Sequence, residues 1–239
     1  MTAFLIVAHR QTGLPPLWAA QIAEALRTSG CDEIVDLGSG AGGPIGLVAG
    51  RLRELGCDAR ITLTDLYPNE RDRQTDTRIT YWPEAADARA VPAALTGLRT
   101  MFASFHHFKP ADGKAILRDA FEQRRPICIF EVTSRTPLAI GLTLLMPLFV
   151  LKATASIRPV SVFQLVFTYV IPLLPLLIFW DGFASQWRTY SAAELLGMTE
   201  ELRDPAYRWT SGVIGLPGLP LGVPYLTGCP VSGTVLCGG

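Results

Sequence analysis

Short apolar segments and amphipathic stretches alternate along the first 132 residues. Five segments have the length and residue types of buried or half-buried strands: Glu33–Leu37, Arg60–Asp65, Ile79–Trp82, Leu98–Phe105 and Pro126–Val132. Helical patterns lie between or before them, over residues 17–30, 43–55 and 110–123. This alternation predicts a doubly wound, mostly parallel α/β sheet. Ser191 and Glu194 have the spacing of a capping box for a helix that continues through Leu202. After that helix, the segments Tyr207–Ile214 and Val223–Val231 predict a C-terminal antiparallel strand pair.

Residues 136–188 interrupt this alternation with a hydrophobic segment. The 44 residues from Pro137 to Trp180 carry two charges, Lys152 and Arg158, and the 22 residues from Pro159 onward in that stretch carry none. We therefore predict one domain over residues 1–239 with an α-helical hydrophobic insertion over residues 136–188. Because the insertion follows the fifth strand, it is expected to overhang the carboxyl ends of the strands as a cap.

Three roles for the insertion stay open at this stage. It could line a pocket for a hydrophobic substrate, make peripheral contact with a membrane, or form a homodimer interface. A simple spanning helix is disfavoured, because Pro147, Pro172 and Pro175 would break or kink it.

Composition narrows the class of protein. The 239 residues include 21 Lys and Arg and 21 Asp and Glu, and the mean hydropathy is +0.29. The charged fraction is 18%, against about 25% in an average soluble protein. A neutral, apolar chain disfavours both nucleic-acid binding and intrinsic disorder.

The five scattered cysteines and the first ten residues indicate where in the cell the protein is located. The cysteines form no CxxC pair and no zinc-like spacing, so we expect no metal and reduced thiols. The first ten residues lack the basic region of a signal peptide. We expect a cytoplasmic protein, with peripheral attachment to the inner face of the membrane as the variant that the insertion would add.

Glycines between the first strand and the next helix form the strongest motif. Gly38-x-Gly40-x-x-Gly43 matches the dinucleotide fingerprint, and Asp65 follows 22 residues later at the end of the second strand. Asp36, two residues before the first glycine, would repel a pyrophosphate and attract a sulfonium or ammonium cation.

With Asp36 in place, the chain resembles the class I S-adenosylmethionine-dependent methyltransferases, whose sheet is Rossmann-like. Asp36-x-Gly38-x-Gly40-x-Gly42 is similar to that family's first motif, which approaches the methionine part of the cofactor. Asp65 resembles the acid that binds the ribose hydroxyls, and Asp87-Ala88 the pair that flanks adenine. The resemblance thus implies S-adenosylmethionine as cofactor, held by Asp36, Gly38, Ser39, Gly40, Gly42, Asp65, Leu66, Asp87 and Ala88. For Asp87 a helix N-cap is an equally good interpretation.

Polar residues near the ends of the fourth and fifth strands are candidates for catalysis. His106 or His107 could accept a proton from the substrate, and neighbouring strand-end residues are expected to point in opposite directions. The presence of Glu131 at the end of the fifth strand could equally be explained by burial against Arg135 or a loop amide. Five residues are candidate substrate contacts: Phe108, Glu131, Asp181, Arg188 and Tyr190. An Asp181–Arg188 ion pair is the structural alternative for that pair.

The sequence therefore predicts methyl transfer to a hydroxyl, amine or carbon nucleophile of a small hydrophobic molecule of polyketide, terpenoid or aromatic type. One alternative is a membrane-associated protein that binds S-adenosylmethionine without turnover. A nicotinamide-dependent oxidoreductase is disfavoured by Asp36.

Overall fold

The computed structural model describes residues 12–40, 42–68, 77–155 and 161–231. Seven strands form one sheet: β1 Glu33–Leu37, β2 Arg60–Thr64, β3 Ile79–Tyr81, β4 Leu98–Phe102, β5 Ile127–Phe130, β6 Tyr207–Gly215 and β7 Gly222–Pro230. The α-helices are α1 Leu14–Ser29, α2 Ile45–Glu54, α3 Pro110–Glu122, α4 Pro137–Thr143, α5 Met146–Thr154, α6 Val162–Leu165, α7 Leu173–Arg188 and α8 Ala192–Gly197. Short 3₁₀ helices cover Phe105–His107 and Glu200–Leu202, and a π-helical turn covers Val166–Val170.

The strand order is β3-β2-β1-β4-β5-β7-β6. The first five strands in this order are parallel, and β7 runs antiparallel to both β5 and β6. This confirms the predicted α/β sheet and its C-terminal antiparallel pair. The order reverses between β1 and β4, which is where parallel sheets of this kind bind ligands, beyond the carboxyl ends of the strands.

Each face of the sheet has its own apolar core. On one face α1 buries Trp18 completely, and its ring centroid lies 5.3 Å from that of Phe102 and 5.9 Å from that of Phe130. On the other face Phe105 packs with Ile116 and other buried side chains of α3 and α8. The two covered faces explain why β5 is a continuous apolar segment.

Local signals fix several element ends. The predicted capping box is present, since Ser191 accepts from the backbone N–H of Glu194 and the Glu194 carboxylate accepts from that of Ser191. The prediction of a helix continuing to Leu202 was wrong, because α8 ends at Gly197 and a separate 3₁₀ turn follows.

The predicted fourth strand, Leu98–Phe105, was also too long. It ends at Phe102, and Ala103 then adopts a left-handed backbone with φ of 51°. The chain turns there into the 3₁₀ helix Phe105–His107. This turn, rather than a strand end, therefore places His106 and His107.

Between β5 and α8 the described chain is helical. Pro147 lies in the first turn of α5, and Pro172 is the N-cap of α7, so these prolines coincide with helix breaks as predicted. Within the described residues, no single helix is long and apolar enough to cross a membrane. Two pairs reach that length and composition only together, α4 with α5 at a bend of 47° and Val162–Val170 with α7 at 78°.

Candidate functional site

The glycine turn after β1 is held by the loop after β2. The backbone N–H of Gly40 donates to Oδ2 of Asp65 at 2.9 Å, and that of Tyr67 donates to Oδ1 at the same distance. Gly38 and Gly40 have φ of 65° and 52°, a conformation that L side chains rarely adopt. Asp65 therefore sits at the glycine turn, and each of its oxygens keeps a lone pair for another donor.

Asp36 lies within β1, at 4% exposure. Its Oδ1 accepts from Oγ1 of Thr100 on the neighbouring strand β4 at 2.7 Å. Burial raises the pKa of Asp36 to about 7, and the hydrogen bond from Thr100 offsets only part of that effect. Asp36 is thus enclosed by its neighbours, and its charge depends on pH in the physiological range.

Ser104 is a site residue that the sequence analysis missed. Its hydroxyl is buried and finds no hydrogen-bond partner among the described residues. A Cβ placed on Gly38 would lie 3.9 Å from Oγ of Ser104, so the hydroxyl and the glycine turn border the same space. An unsatisfied buried hydroxyl costs free energy, and a polar ligand beside Gly38 would remove that cost. Ser104 lies two positions after the end of β4, and no sequence pattern distinguishes it there.

The carboxylate of Asp87 forms an ion pair with the neighbouring Arg89. Its Oδ2 accepts from Nη2 of Arg89 at 2.7 Å, and Nη1 of Arg89 donates to Asp112 at 2.9 Å. This arrangement lowers the pKa of Asp87. The N-cap interpretation was wrong, because Asp87 begins a turn closed by a bridge to Ala90 rather than a helix. Ala88 is buried beside it, whereas Leu66 is exposed.

His106 and Glu131 form a buried pair at the ends of β4 and β5. Nδ1 of His106 lies 2.7 Å from Oε2 of Glu131, and the His106 backbone N–H donates to Oε1 at 2.9 Å. Since a carboxylate accepts, Nδ1 carries the proton and Nε2 keeps its lone pair. Within the described chain Nε2 has no hydrogen-bond partner. Of the alternatives for Glu131, the loop amide is correct, while Arg135 pairs with Glu194.

His107 lies beside this pair, with ring centroids of the two histidines 4.3 Å apart. The expectation that they point in opposite directions was wrong. Successive residues of a 3₁₀ helix are rotated by about 120°, not by the 180° of a strand. Burial, followed by the neighbouring His106, lowers the pKa of His107.

The end of α7 reaches the histidines. Helix α7 packs against the 3₁₀ helix Phe105–His107, and of its charged residues Asp181 raises and Arg188 lowers the pKa of His107. They lie seven residues apart on α7, and within the described chain no ion pair joins them. The ion-pair interpretation was therefore wrong.

Tyr190 follows α7 and is tied to the histidine turn. Its hydroxyl donates to the carbonyl oxygen of Phe108 at 2.8 Å, and its ring meets that of Phe105 edge-on at 5.9 Å. Burial raises the pKa of Tyr190, so the phenol stays protonated and keeps this bond. All five predicted substrate contacts therefore lie around the His106–His107 turn.

Known proteins resemble this chain in structure only. No family model matches the chain, and no curated protein matches it by sequence. The plantazolicin methyltransferase BpumL, solved with S-adenosylhomocysteine, aligns at a TM-score of 0.52 and 10% identity over 95% of this chain and 88% of that one.

Two other structures cover 91% of this chain at a TM-score of 0.50, the mitomycin 7-O-methyltransferase MmcR at 17% identity and human N-acetylserotonin methyltransferase at 13%. The present chain spans 54% of the length of each, about half. At these identities the likeness concerns the architecture. The chain has the fold that these S-adenosylmethionine-dependent methyltransferases share, a seven-stranded mixed sheet with helices on both faces.

Proposed function

We propose that this protein is an S-adenosylmethionine-dependent methyltransferase. The observation that carries the proposal is that one edge of the sheet holds both a glycine turn tied to Asp65 and the buried His106–Glu131 pair. The first group suits a ligand with ribose hydroxyls and a cationic end. The second suits removal of a proton from an acceptor. The neighbouring methyltransferase structures share the fold in which these groups are arranged.

The residues fit the cofactor at three points. Asp65 has lone pairs free for ribose hydroxyls, Asp36 is buried two residues before Gly38 and adds negative charge there above pH 7, and the hydroxyl of Ser104 is buried without a partner in the described chain. When bound, the cofactor supplies a methyl group already activated on a sulfonium.

The protein's own contribution is then to align the acceptor and to receive its proton. We assign His106 as the base, because Glu131 fixes its protonated nitrogen and leaves Nε2 as the acceptor. His107 and Tyr190 border the same space and would position the acceptor. The apolar helices beside this edge support a small hydrophobic substrate of polyketide, terpenoid or aromatic type.

Calorimetry with S-adenosylhomocysteine tests the proposal directly. The wild-type chain should bind it, and Asp65→Ala should weaken binding by about 10- to 100-fold, because hydrogen bonds to a charged group and the anchor of the glycine turn are lost together. Asp58→Ala is the matched control. Asp58 lies between α2 and β2 and forms an ion pair with Arg78. Absence of wild-type binding, or equal effects of both variants, would contradict the assignment. Binding of a reduced nicotinamide dinucleotide instead would favour the oxidoreductase alternative.

Turnover is measured with methyl-labelled S-adenosylmethionine and a panel of hydrophobic phenols, alcohols and amines. Label extracted into organic solvent identifies an acceptor. Cofactor binding with no transfer to any acceptor class, including lipid extracts, would favour the protein that binds without turnover.

Ser104 gives a test of which end of the cofactor meets Gly38. Ser104→Ala should weaken S-adenosylhomocysteine about tenfold and leave 5′-methylthioadenosine, which lacks the amino-acid end, unchanged. The ligand-free variant should be at least as stable as wild type, since an unsatisfied hydroxyl is removed. Ser29→Ala is the control, because its buried hydroxyl donates to the Ala25 carbonyl at 2.7 Å at the other end of β1, and it should lose stability without losing affinity. Equal weakening of both ligands would refute the contact.

A further inference from the structure

The helices between β5 and α8 expose an unusual number of large apolar side chains. These side chains are Leu138, Leu142, Leu144, Leu145, Leu148, Val162, Phe163, Leu165, Tyr169, Val170, Ile171, Leu173, Leu176, Leu177 and Trp180. Leu148 is 64% exposed, Phe163 68% and Val170 74%. We call these residues the apolar surface. Monomeric soluble proteins rarely expose a patch of this extent without a partner.

The opposite sides of these helices are packed, so the apolar surface is not an unfolded segment. Val150 and Ala153 of α5 are buried against Ile178 of α7. The hydroxyl of Tyr169 donates to the Leu151 carbonyl oxygen at 2.6 Å, which ties the π-helical turn to α5. The outward side chains therefore remain exposed after the helices have packed together.

A buried glutamine fixes the helices to the rest of the protein. Gln186 of α7 accepts from the backbone N–H of Ser134 at 2.9 Å and donates to Oγ1 of Thr143 at 3.2 Å. It thereby links α7 to the loop after β5 and to α4. The apolar surface consequently has a defined orientation relative to the sheet.

The charges of this segment and the bends between its helices indicate what covers the apolar surface. From Pro137 to Trp180 the chain has no acidic residue, and its two charges are both basic, which complements anionic lipid headgroups. The two helix pairs are bent by 47° and 78°, a shape that suits insertion into one leaflet better than a straight span. Backbone groups inside helices are satisfied, as an apolar solvent requires.

Aromatic residues mark where the apolar surface ends. Trp180 and Trp187 are exposed on α7, next to the charged Asp181 and Arg188. Tryptophan beside charged residues is typical of the level of lipid headgroups. We propose that α4–α5 and the helix pair 162–188 dock the protein on a phospholipid bilayer containing anionic lipid, with the apolar surface within one leaflet. This inference does not depend on the proposed methyl transfer.

Flotation of the full chain with vesicles tests the proposal. Wild type should float with phosphatidylcholine vesicles and more completely when phosphatidylglycerol is added. Leu148→Glu combined with Phe163→Glu should reduce binding at least tenfold, because two carboxylates would enter the apolar layer. Lys152→Glu should reduce binding mainly to the anionic vesicles. Quenching of tryptophan emission by brominated lipids should diminish in Trp180→Phe.

Leu55→Glu is the matched control, because Leu55 is a similarly exposed leucine, at 48%, that follows α2. It should float like wild type, and thermal melting should show that all variants are folded. A wild-type chain that stays unbound with both vesicle types would overturn the proposal, as would equal loss in Leu55→Glu. A homodimer that dissociates in the Leu148→Glu, Phe163→Glu chain, without any flotation of wild type, would assign the surface to a second copy.

Discussion

At pH 8, replacing Asp36 by asparagine is expected to raise the free energy of unfolding by about 2–4 kcal/mol, since each pKa unit corresponds to 1.36 kcal/mol. An ionised Asp36 is buried between strands, whereas in the unfolded chain it is solvated. The folded pKa is about 7 and the ordinary value is 3.8, so the native state holds a proton that the unfolded state releases between these values. This group's contribution to stability is therefore complete below pH 4 and is lost as the pH rises through 7.

Urea denaturation at pH 4 and pH 8 measures the effect. The gain of Asp36→Asn should appear at pH 8 and vanish at pH 4, because asparagine resembles the protonated acid and keeps an oxygen for Thr100. At pH 8 the variant should bind S-adenosylhomocysteine about tenfold more weakly, because the negative charge two residues before Gly38 is lost. The exposed Asp58→Asn is the control for both measurements. A variant that is less stable than wild type at pH 8 would show that the burial of the charge is compensated.

Replacing His106 by glutamine is expected to lower methyl transfer about 100- to 10,000-fold, the range over which a positioned base acts. Glutamine can donate to Glu131 but cannot take up a proton from the acceptor. The affinity of the His106→Gln variant for S-adenosylhomocysteine should stay close to that of wild type. Steady-state rates with the acceptor identified from the panel, together with calorimetry, separate the two effects.

Glu131→Gln and His107→Gln complete this experiment. Glu131 acts through His106, so Glu131→Gln should lower the rate, because the imidazole ring is no longer held with Nε2 as the proton acceptor. His107→Gln should change the rate by less than about tenfold, since positioning without proton transfer contributes less. If His107→Gln were the more damaging variant, the assignment of the base would move to His107.

Much of the fold is encoded in local patterns. The apolar strands, the glycine turn and the Ser191 capping box lie within short windows, and all three are present in the structure. The end of β4 was misjudged because Ala103 adopts a left-handed backbone that an alanine does not signal in sequence. The helix from Ser191 was extended too far because Leu202 continues the apolar spacing after the helix has ended.

The site depends on contacts between distant residues, which periodicity does not report. Thr100 bonds Asp36 across 64 positions, and Glu131 bonds His106 across 25. Sequence reasoning could therefore name Asp36, His106 and Glu131 separately, but not the burial of the first or the pairing of the other two. The sequence did not identify Ser104, because its unpaired hydroxyl is a property of the packed structure alone.

Helix α7 connects the apolar surface to the turn that holds the two histidines. It begins in the apolar surface and packs against the 3₁₀ helix that holds His106 and His107, and its eight steps from Trp180 to Arg188 span roughly 12 Å at 1.5 Å per residue. With the apolar surface in one leaflet, as proposed, the reacting nitrogen of His106 would lie close to the headgroup level. Such an enzyme selects its acceptor by depth, because only a molecule whose reactive group protrudes beyond the hydrocarbon would reach it. Its rate would then follow the surface density of that acceptor in the bilayer rather than its concentration in water.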